Sequence, residues 1–474
     1  MTASLSTLNH DIASIVYPMI DTRSLLSLAL TSRSMKNTII PEFLFYRIRI
    51  LRRESLVSFC LCITAPNSTA GSTVRHFESL VDFELPPDIW TTNLLETAME
   101  KMAQLRSVRC SCDPSHLFSL SPRVPEVLPL LRHMSFTFKK QPSATTEVLK
   151  ELRQLESIHI NAWPGLDPFI ISPESDVGIM LLNSRNTLKE LTLPTMEWDF
   201  PEHLPFSNNP CDRHDDNVAV WPYVHTLALP SRVDFRCDLD LARTFPSTRS
   251  FSCSQGLKEW LWRPCNGPFL ARLESCEGTI RHLQAAVGAR ASLRRISVHP
   301  GDRRTVLVQD ILSPALRSLS LSLTISAKLL PGSLRSLAKL PHSLTFLSVL
   351  VHFSRGVPMA KVVEALASAM PRLPLAYMEI RCQFSLPVSE FDEQVRPHIG
   401  DFIRLLSGAF PSLQAGCVGW HSLARNGCRY WRRAMVTEFA ASESYLTPFI
   451  EVSPDEGRGL KAHYDWQWRD VCAT

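Results

Sequence analysis

At 474 residues, with 45% hydrophobic and 20% charged side chains, the chain has the composition of a folded protein and the length of about three domains or one elongated repeat body with attachments. Its 50 Lys and Arg against 46 Asp and Glu leave a formal charge of +4, too even to argue for a nucleic-acid or membrane partner, and no long basic run appears. Only 17 residues are Gly and neither G-x-G-x-x-G nor G-x-x-x-x-G-K-S/T is present, which argues against a phosphate-cradling loop and leaves no cofactor to expect.

The opening M-T-A-S-L-S-T-L-N-H-D lacks a basic segment followed by an apolar one, so no secretory leader is expected and the chain is read as cytoplasmic, nuclear or both. Ile12, Ile15, Val16, Met19 and Ile20 then fall on one stripe of a helix, with Asn9 or Asp11 as its cap and Pro18 as a kink. A second helix is expected after Asp21 or Thr22, and its Leu25, Leu26, Leu28, Ala29 and Leu30 wrap more than half the cylinder. A third starts near Ser32, carries Met35, Ile39 and Ile40, and ends at Pro41. Three short helices hold only a small core, so part of this apolar surface must face outward, and an exposed apolar patch marks a partner site.

The stretch L-x-x-D-I-x-x-I-V, then I-D-x-x-S-L-L-S-L-A-L-T-S-R, resembles an F-box over about residues 6–45, and is especially similar to the F-boxes of fungal leucine-rich-repeat-like proteins. The family usually has L-P at its start, where this chain has Leu8-Asn9, and often Trp after the S-R, where it has Met35. The resemblance implies a module that docks on the adaptor subunit of an SCF-type (cullin–RING) ubiquitin ligase and, through it, on a cullin. It implies adaptor contacts from Leu8, Ile12, Ile15 and Ile20 of the first helix and from Leu25, Leu26, Leu28 and Ala29 of the second.

Residues 46–50, Y-R-I-R-I, alternate like a strand, and Leu56, Phe59, Cys60 and Ile63 then recur at helical spacing. A unit of the form L-x-x-L-x-L begins at Leu105, Leu131, Leu155, Leu188, Val224, Thr248, Leu270, Leu293, Leu316, Leu344 and Leu375, at intervals of 22 to 36 residues. Its first apolar residue would enter a short strand, and its second and third would alternate onto a face that stacks on neighbouring repeats. The fold class expected is therefore α/β: a short three-helix F-box-like module over 1–45, then a leucine-rich-repeat-like solenoid over 46–415 with a parallel sheet on its concave side, then a C-terminal cap or tail over 416–474. Helices are expected at 93–105, 145–155, 176–182 and 361–370, between strands. The longest insertion, 201–221, is polar and turn-rich, and its Asp212, His214, Asp215 and Asp216 read as a solvated loop. In the tail, Trp420, Trp431, Trp466 and Trp468 suggest packing over the last repeat.

No constellation for chemistry stands out. The 13 cysteines are odd in number and dispersed, which fits reduced thiols in a core. Cys60/Cys62 and Cys110/Cys112, the latter followed by His116, lack a matching pair nearby, so no metal is expected. Neither G-x-S-x-G nor H-E-x-x-H occurs, and the chain is not expected to be an enzyme. The leading expectation is a substrate receptor, with the helices on the adaptor and the solenoid on an unknown protein target. The alternative is a non-catalytic repeat scaffold unrelated to ubiquitin, with 6–45 as the terminal cap that stacked repeats need. A cluster of His, Asp and Cys in one closed pocket would instead point to an enzyme.

Overall fold

The computed structural model describes residues 12–13, 16–17, 20, 22–81, 89–111, 128–138, 148–163, 166, 169–194, 196–200, 219–229, 233–235, 240–253, 261, 263–298, 311–325, 340–353, 373–384, 403, 405–406, 408–421, 426–434 and 449–467. The chain divides into two compact units, residues 1–248 with 256–260 and residues 249–255 with 261–474. Both are mixed α/β units built on a parallel sheet. Among the described residues no helix is long and apolar enough to cross a membrane.

Among its described residues the first unit carries ten strands: β1 (Arg47–Ile50), β2 (His76–Ser79), β3 (Ser107–Cys110), β4 (His133–Phe138), β5 (Ser157–Ala162), β6 (Phe169–Ile171), β7 (Glu190–Thr192), β8 (Met196–Trp198), β9 (Thr226–Leu229) and β10 (Val233–Phe235). β1, β2, β3, β4, β5, β7 and β9 pair in that order, all parallel. Val108, Met134, Ile158, Leu191 and Leu227 align in one buried row, while Leu105, Leu131, Leu155, Leu188 and Val224 are buried in the entering turns. The residue after that first apolar position ties each repeat to the one before. Amide donates to carbonyl from Arg106 to Arg75 (2.8 Å), Arg132 to Arg106 (2.9 Å), Glu156 to Arg132 (2.7 Å), Lys189 to Glu156 (2.7 Å) and His225 to Lys189 (2.8 Å). A one-residue slip would break this series and turn the buried row outward.

Helices fill the intervals. Arg53–Thr64 buries Leu56, Cys60 and Ile63 at the expected spacing. The helix expected at 93–105 spans Ile89–Lys101, and the one expected at 145–155 is a single turn, Val148–Glu151. Asp176–Asn183 is capped by Ser175, whose hydroxyl accepts from the Gly178 amide at 3.1 Å. The expected helix at 361–370 lies outside the described residues, as does the 201–221 insertion up to 218.

A second parallel layer, β10-β8-β6, was not foreseen from the repeat spacing. It accompanies an aromatic cluster of Trp198, Phe200, Trp221 and Phe245, with ring centroids 4.6 to 6.1 Å apart. The Trp221 indole N–H donates to the Leu181 carbonyl at 3.1 Å, which fixes the end of the insertion against the helix Asp176–Asn183.

The second unit carries β11 (Ser250–Cys253), β12 (Ser275–Gly278), β13 (Arg295–Val298), β14 (Ser318–Ile325), β15 (Phe346–Phe353), β16 (Tyr377–Phe384), β17 (Ala415–His421), β18 (Asn426–Arg433) and β19 (Phe449–Val452). β11 to β17 pair in chain order and in parallel, whereas β18 and β19, in the region read as a C-terminal cap or tail, are antiparallel additions. The repeat placed at Leu270 is displaced by three residues: Leu273 enters the strand, and Cys276 aligns with Phe251 and Ile296. Two repeats were missed, one through Val74 and Phe77 on β2 and one through Leu413, Gly416 and Val418 on β17. Gly416 is required there, because a Cβ would lie 2.9 Å from the Met378 carbonyl oxygen.

The C-terminal tail is not confined to the last repeat. Ser453 accepts from the Glu456 amide at 3.2 Å, Pro454 follows at the first helical position, and the helix Pro454–Trp466 runs over the open side of β13 to β18.

Two outcomes test this fold. Leu191→Ala should cost about 2–5 kcal/mol in urea unfolding, as for a large-to-small change in a filled core; a loss under about 0.5 kcal/mol would contradict the buried row. On β2, His76 is pushed down to about 4, first by burial and then by Arg47, His133, Arg106 and Arg75. The unfolded chain takes up that proton near pH 6.5 and the folded chain only near 4, so the unfolded state binds more protons in between. Stability should fall as the pH drops from 6.5 toward 4, and His76→Gln should lose less over that window in denaturant titrations.

Candidate functional site

The N-terminal helices form a small core of their own. Ala13, Tyr17, Leu25, Ala29, Met35, Ile39 and Phe43 are buried together, with Ile20, Leu28, Ile40 and Leu44 packed around them. Tyr17 meets Phe43 edge to face, with centroids 5.0 Å apart. The second helix spans Thr22–Ala29 and the third Arg33–Ile39, where the Ser32 hydroxyl accepts from the Met35 amide at 3.1 Å. The helical path does not end at Pro41. It continues as a π-helical turn, Ile40–Leu44, with Pro41 near its start.

Among the described residues this core leaves four large apolar side chains outside. Ile12 is 51% exposed, Val16 39%, Leu26 42% and Leu30 71%. They make two pairs at i, i+4 spacing, so each pair shares one helix face. Of the stripe read from the sequence, Ile12 and Val16 face outward, Ile20 packs against the core, and Ile15 and Met19 lie outside the described residues; Ala13 and Tyr17 face inward. The inward Tyr17 ring is the one that meets Phe43.

The eight residues assigned to adaptor contact divide accordingly. Ile12 and Leu26 lie on the surface. Leu25 (4% exposed) and Ala29 (0%) are buried in the helical core. Ile20 and Leu28 are half-buried against the cluster. Leu8 and Ile15 lie outside the described residues. Val16 and Leu30 were omitted from the set, although each stands four residues after a residue that was named.

Two other groupings have the residue types of a catalytic site without its geometry. On β5, the Ser157 hydroxyl lies 2.9 Å from His159 Nε2, and Glu190 approaches both, at 3.3 and 3.8 Å. A nucleophile relay needs the acid on the far ring nitrogen, but His159 Nδ1 is taken by the Thr192 hydroxyl at 2.8 Å. In the second unit, Cys253 Sγ lies 2.9 Å from His282 Nδ1. That nitrogen also accepts the Thr279 amide at 3.3 Å, so the thiol must donate to it and stays protonated. Burial, then Cys276 and Glu277, pushes the Cys253 thiol far up, against thiolate chemistry.

The described members of the cysteine pairs are free thiols, buried at Cys60 and Cys110 and exposed at Cys62. Cys60 and Cys62 lie on the helix Arg53–Thr64, where a two-residue step turns them to different faces, so one is buried and the other exposed. Burial pushes Cys60 up to about 12. Cys110 is buried, and Cys112 and His116 lie outside the described residues, as do Asp212, His214, Asp215 and Asp216. Among the described residues no group of three His, Cys, Asp or Glu is placed to hold a metal.

No protein-family model and no curated protein matches the chain. Among solved structures, a chain of the Rad7 and Elc1 complex in yeast is similar over 78% of this chain and 87% of its own length, at 13% identity and a TM-score of 0.39.

The exposed pairs separate surface from core by mutation. Leu26→Asp/Leu30→Asp should cost no more than about 1 kcal/mol in stability, because neither side chain belongs to the buried helical core. Leu25→Asp should cost more than about 4 kcal/mol or prevent folding, since it buries a carboxylate in the helical core. Equal losses in urea unfolding would contradict the assignment of faces.

Proposed function

We propose that this protein is a substrate receptor of an SCF-type ubiquitin ligase. In this reading the N-terminal helices dock on the adaptor subunit, which links the chain to a cullin, and the repeat body holds a protein target. The observation that carries the reading is the exposure of Ile12, Val16, Leu26 and Leu30 around a helical core that is already filled. It is supported by the resemblance of residues 6–45 to an F-box. The target waits on the repeat sheets while ubiquitin transfer takes place elsewhere in the assembly, so the chain itself needs to supply only two binding surfaces.

The magnitudes fit such a role. Full burial of a Leu, Ile or Val is worth about 1.5–3 kcal/mol in transfer terms, so closing a partner over these four partly exposed side chains supplies several kcal/mol at the centre of an interface whose other contacts surround them. An interface carried by apolar burial predicts an interaction that survives raised salt.

A titration of the full chain against the adaptor subunit tests the reading. Binding at micromolar affinity or tighter is expected, and Leu26→Asp/Leu30→Asp should weaken it by at least about 100-fold while circular dichroism stays unchanged. A folded wild-type chain that does not bind the adaptor would overturn the receptor reading in favour of a repeat scaffold whose helices serve as a cap.

A further inference from the structure

The open side of the second unit's sheet is a graded surface. Across neighbouring strands the row Ser275, Arg295, Ser318, Phe346, Tyr377 and Ala415 runs from polar to apolar. One step along the strands, Ser348 and Glu379 stand side by side. The surface therefore offers a cation with a hydroxyl at one end, an aromatic floor of Phe346 and Tyr377 stacked at 5.1 Å, and a buried carboxylate beyond.

The helix Pro454–Trp466 answers each part. Asp465 accepts from both Arg295 Nε and Nη2 at 3.0 Å and from the Ser318 hydroxyl at 2.5 Å. Tyr464 packs on Tyr377 with centroids 5.9 Å apart, and Leu460 lies against the same cluster. Lys461 Nζ donates to Glu379 at 2.7 Å. The helix thus presents a base, an aromatic three residues on and an acid four residues on, which share one helical face.

Three features mark this contact as displaceable rather than as permanent core. Both sheet charges keep a second partner on the sheet itself: Arg295 has Glu277 at 3.6 Å, and Glu379 has Arg381 Nε at 2.9 Å and the Ser348 hydroxyl at 2.6 Å. Departure of the helix therefore strands neither charge, the usual penalty for breaking a buried pair. The Tyr377 hydroxyl is buried without a hydrogen-bond partner, so the resident helix leaves one polar group of the surface unanswered. The helix also carries Gly457 and Gly459, which weaken it in isolation. Gly457 is needed for docking, because a Cβ there would lie 2.0 Å from the Tyr430 ring.

We propose that this face is a binding site for a helix of a partner protein with the pattern base, aromatic at +3 and acid at +4, and that the chain's own helix Pro454–Trp466 occupies it as a resident ligand until such a helix displaces it. The proposal deepens the receptor reading by naming the chemistry of a target. Its test uses no ligase component, so the two can fail separately.

The probe is a fluorescent peptide with the sequence of residues 449–468, added in trans to the full chain. Gly457→Leu, which forces the resident helix off Tyr430 without altering any charge, should bind the peptide at least tenfold more tightly than the wild type. A peptide carrying Asp465→Lys should lose at least tenfold on the same variant. A folded Gly457→Leu chain that binds no better than wild type, or that binds both peptides alike, would overturn the proposal. Should that variant fail to fold, hydrogen exchange on the wild-type chain decides. Amides of the helix are expected to exchange at least 100-fold faster than those of β14 to β16, and equal protection would make the helix a permanent part of the core.

Discussion

In each unit the amide of one residue, placed just after the first apolar position of a repeat, donates to the carbonyl of its counterpart in the repeat before. Nearly everything else depends on that series of bonds. It sets the register of the parallel strands, and the register decides which side chains face the helices and which face outward. Parallel neighbours need a crossover rather than a hairpin, so each interval must hold a helix or an extended connection long enough to return to the start of the next strand. The leucine row then does the work of adhesion, because a single repeat has nothing to bury its apolar face against.

The same register frees the opposite face, and the two units use it differently. In the first, Arg47, Arg49, His76, Glu78, Arg109, His133 and His159 stand outward, with Glu78 between Arg49 and Arg109 at 3.2 and 3.4 Å. Such a surface stays solvated at little cost. In the second, Phe346, Tyr377 and Tyr430 come to the open side, and an aromatic surface of that size calls for a cover. The chain supplies one from its own C-terminal helix, held by Asp465 and Lys461 as much as by apolar contact. The N-terminal helices pose the same problem without an internal solution: their core is complete, and Ile12, Val16, Leu26 and Leu30 are left outside it.

Much of this was legible in the sequence, and the misses have physical causes. L-R-S-V-R-C, L-E-S-I-H-I and L-R-S-L-S-L announce their strands because the apolar period of two is strong and the entering Leu is present. The repeat at Leu273 hides because Cys276 and Gly278 replace the expected leucines, which let L-A-R-L-E-S, three residues earlier, look the better match. β17 hides for a similar reason, with Gly416 admitted by close approach to Met378 rather than by apolarity. The layer of β6, β8 and β10 left no signal because three-residue strands carry too few alternations to stand out. In the N-terminal helices the apolar content was plain, but which face turned inward was not. That choice rests on Tyr17 meeting Phe43, a tertiary pairing that periodicity alone does not show. The docking of the C-terminal helix was invisible for the same reason, since Arg295 and Asp465 lie 170 residues apart.

The central claim is that the apolar surface of the N-terminal helices exists to hold a partner. The most direct measurement places a photoactivatable residue at position 30 of the full chain, and separately at position 25, and irradiates each with the adaptor subunit at saturating concentration. The account predicts a crosslink to the adaptor from position 30 and none from position 25, whose side chain points into the helical core. A folded chain that yields no crosslink from position 30, or yields the same crosslink from both, would contradict it.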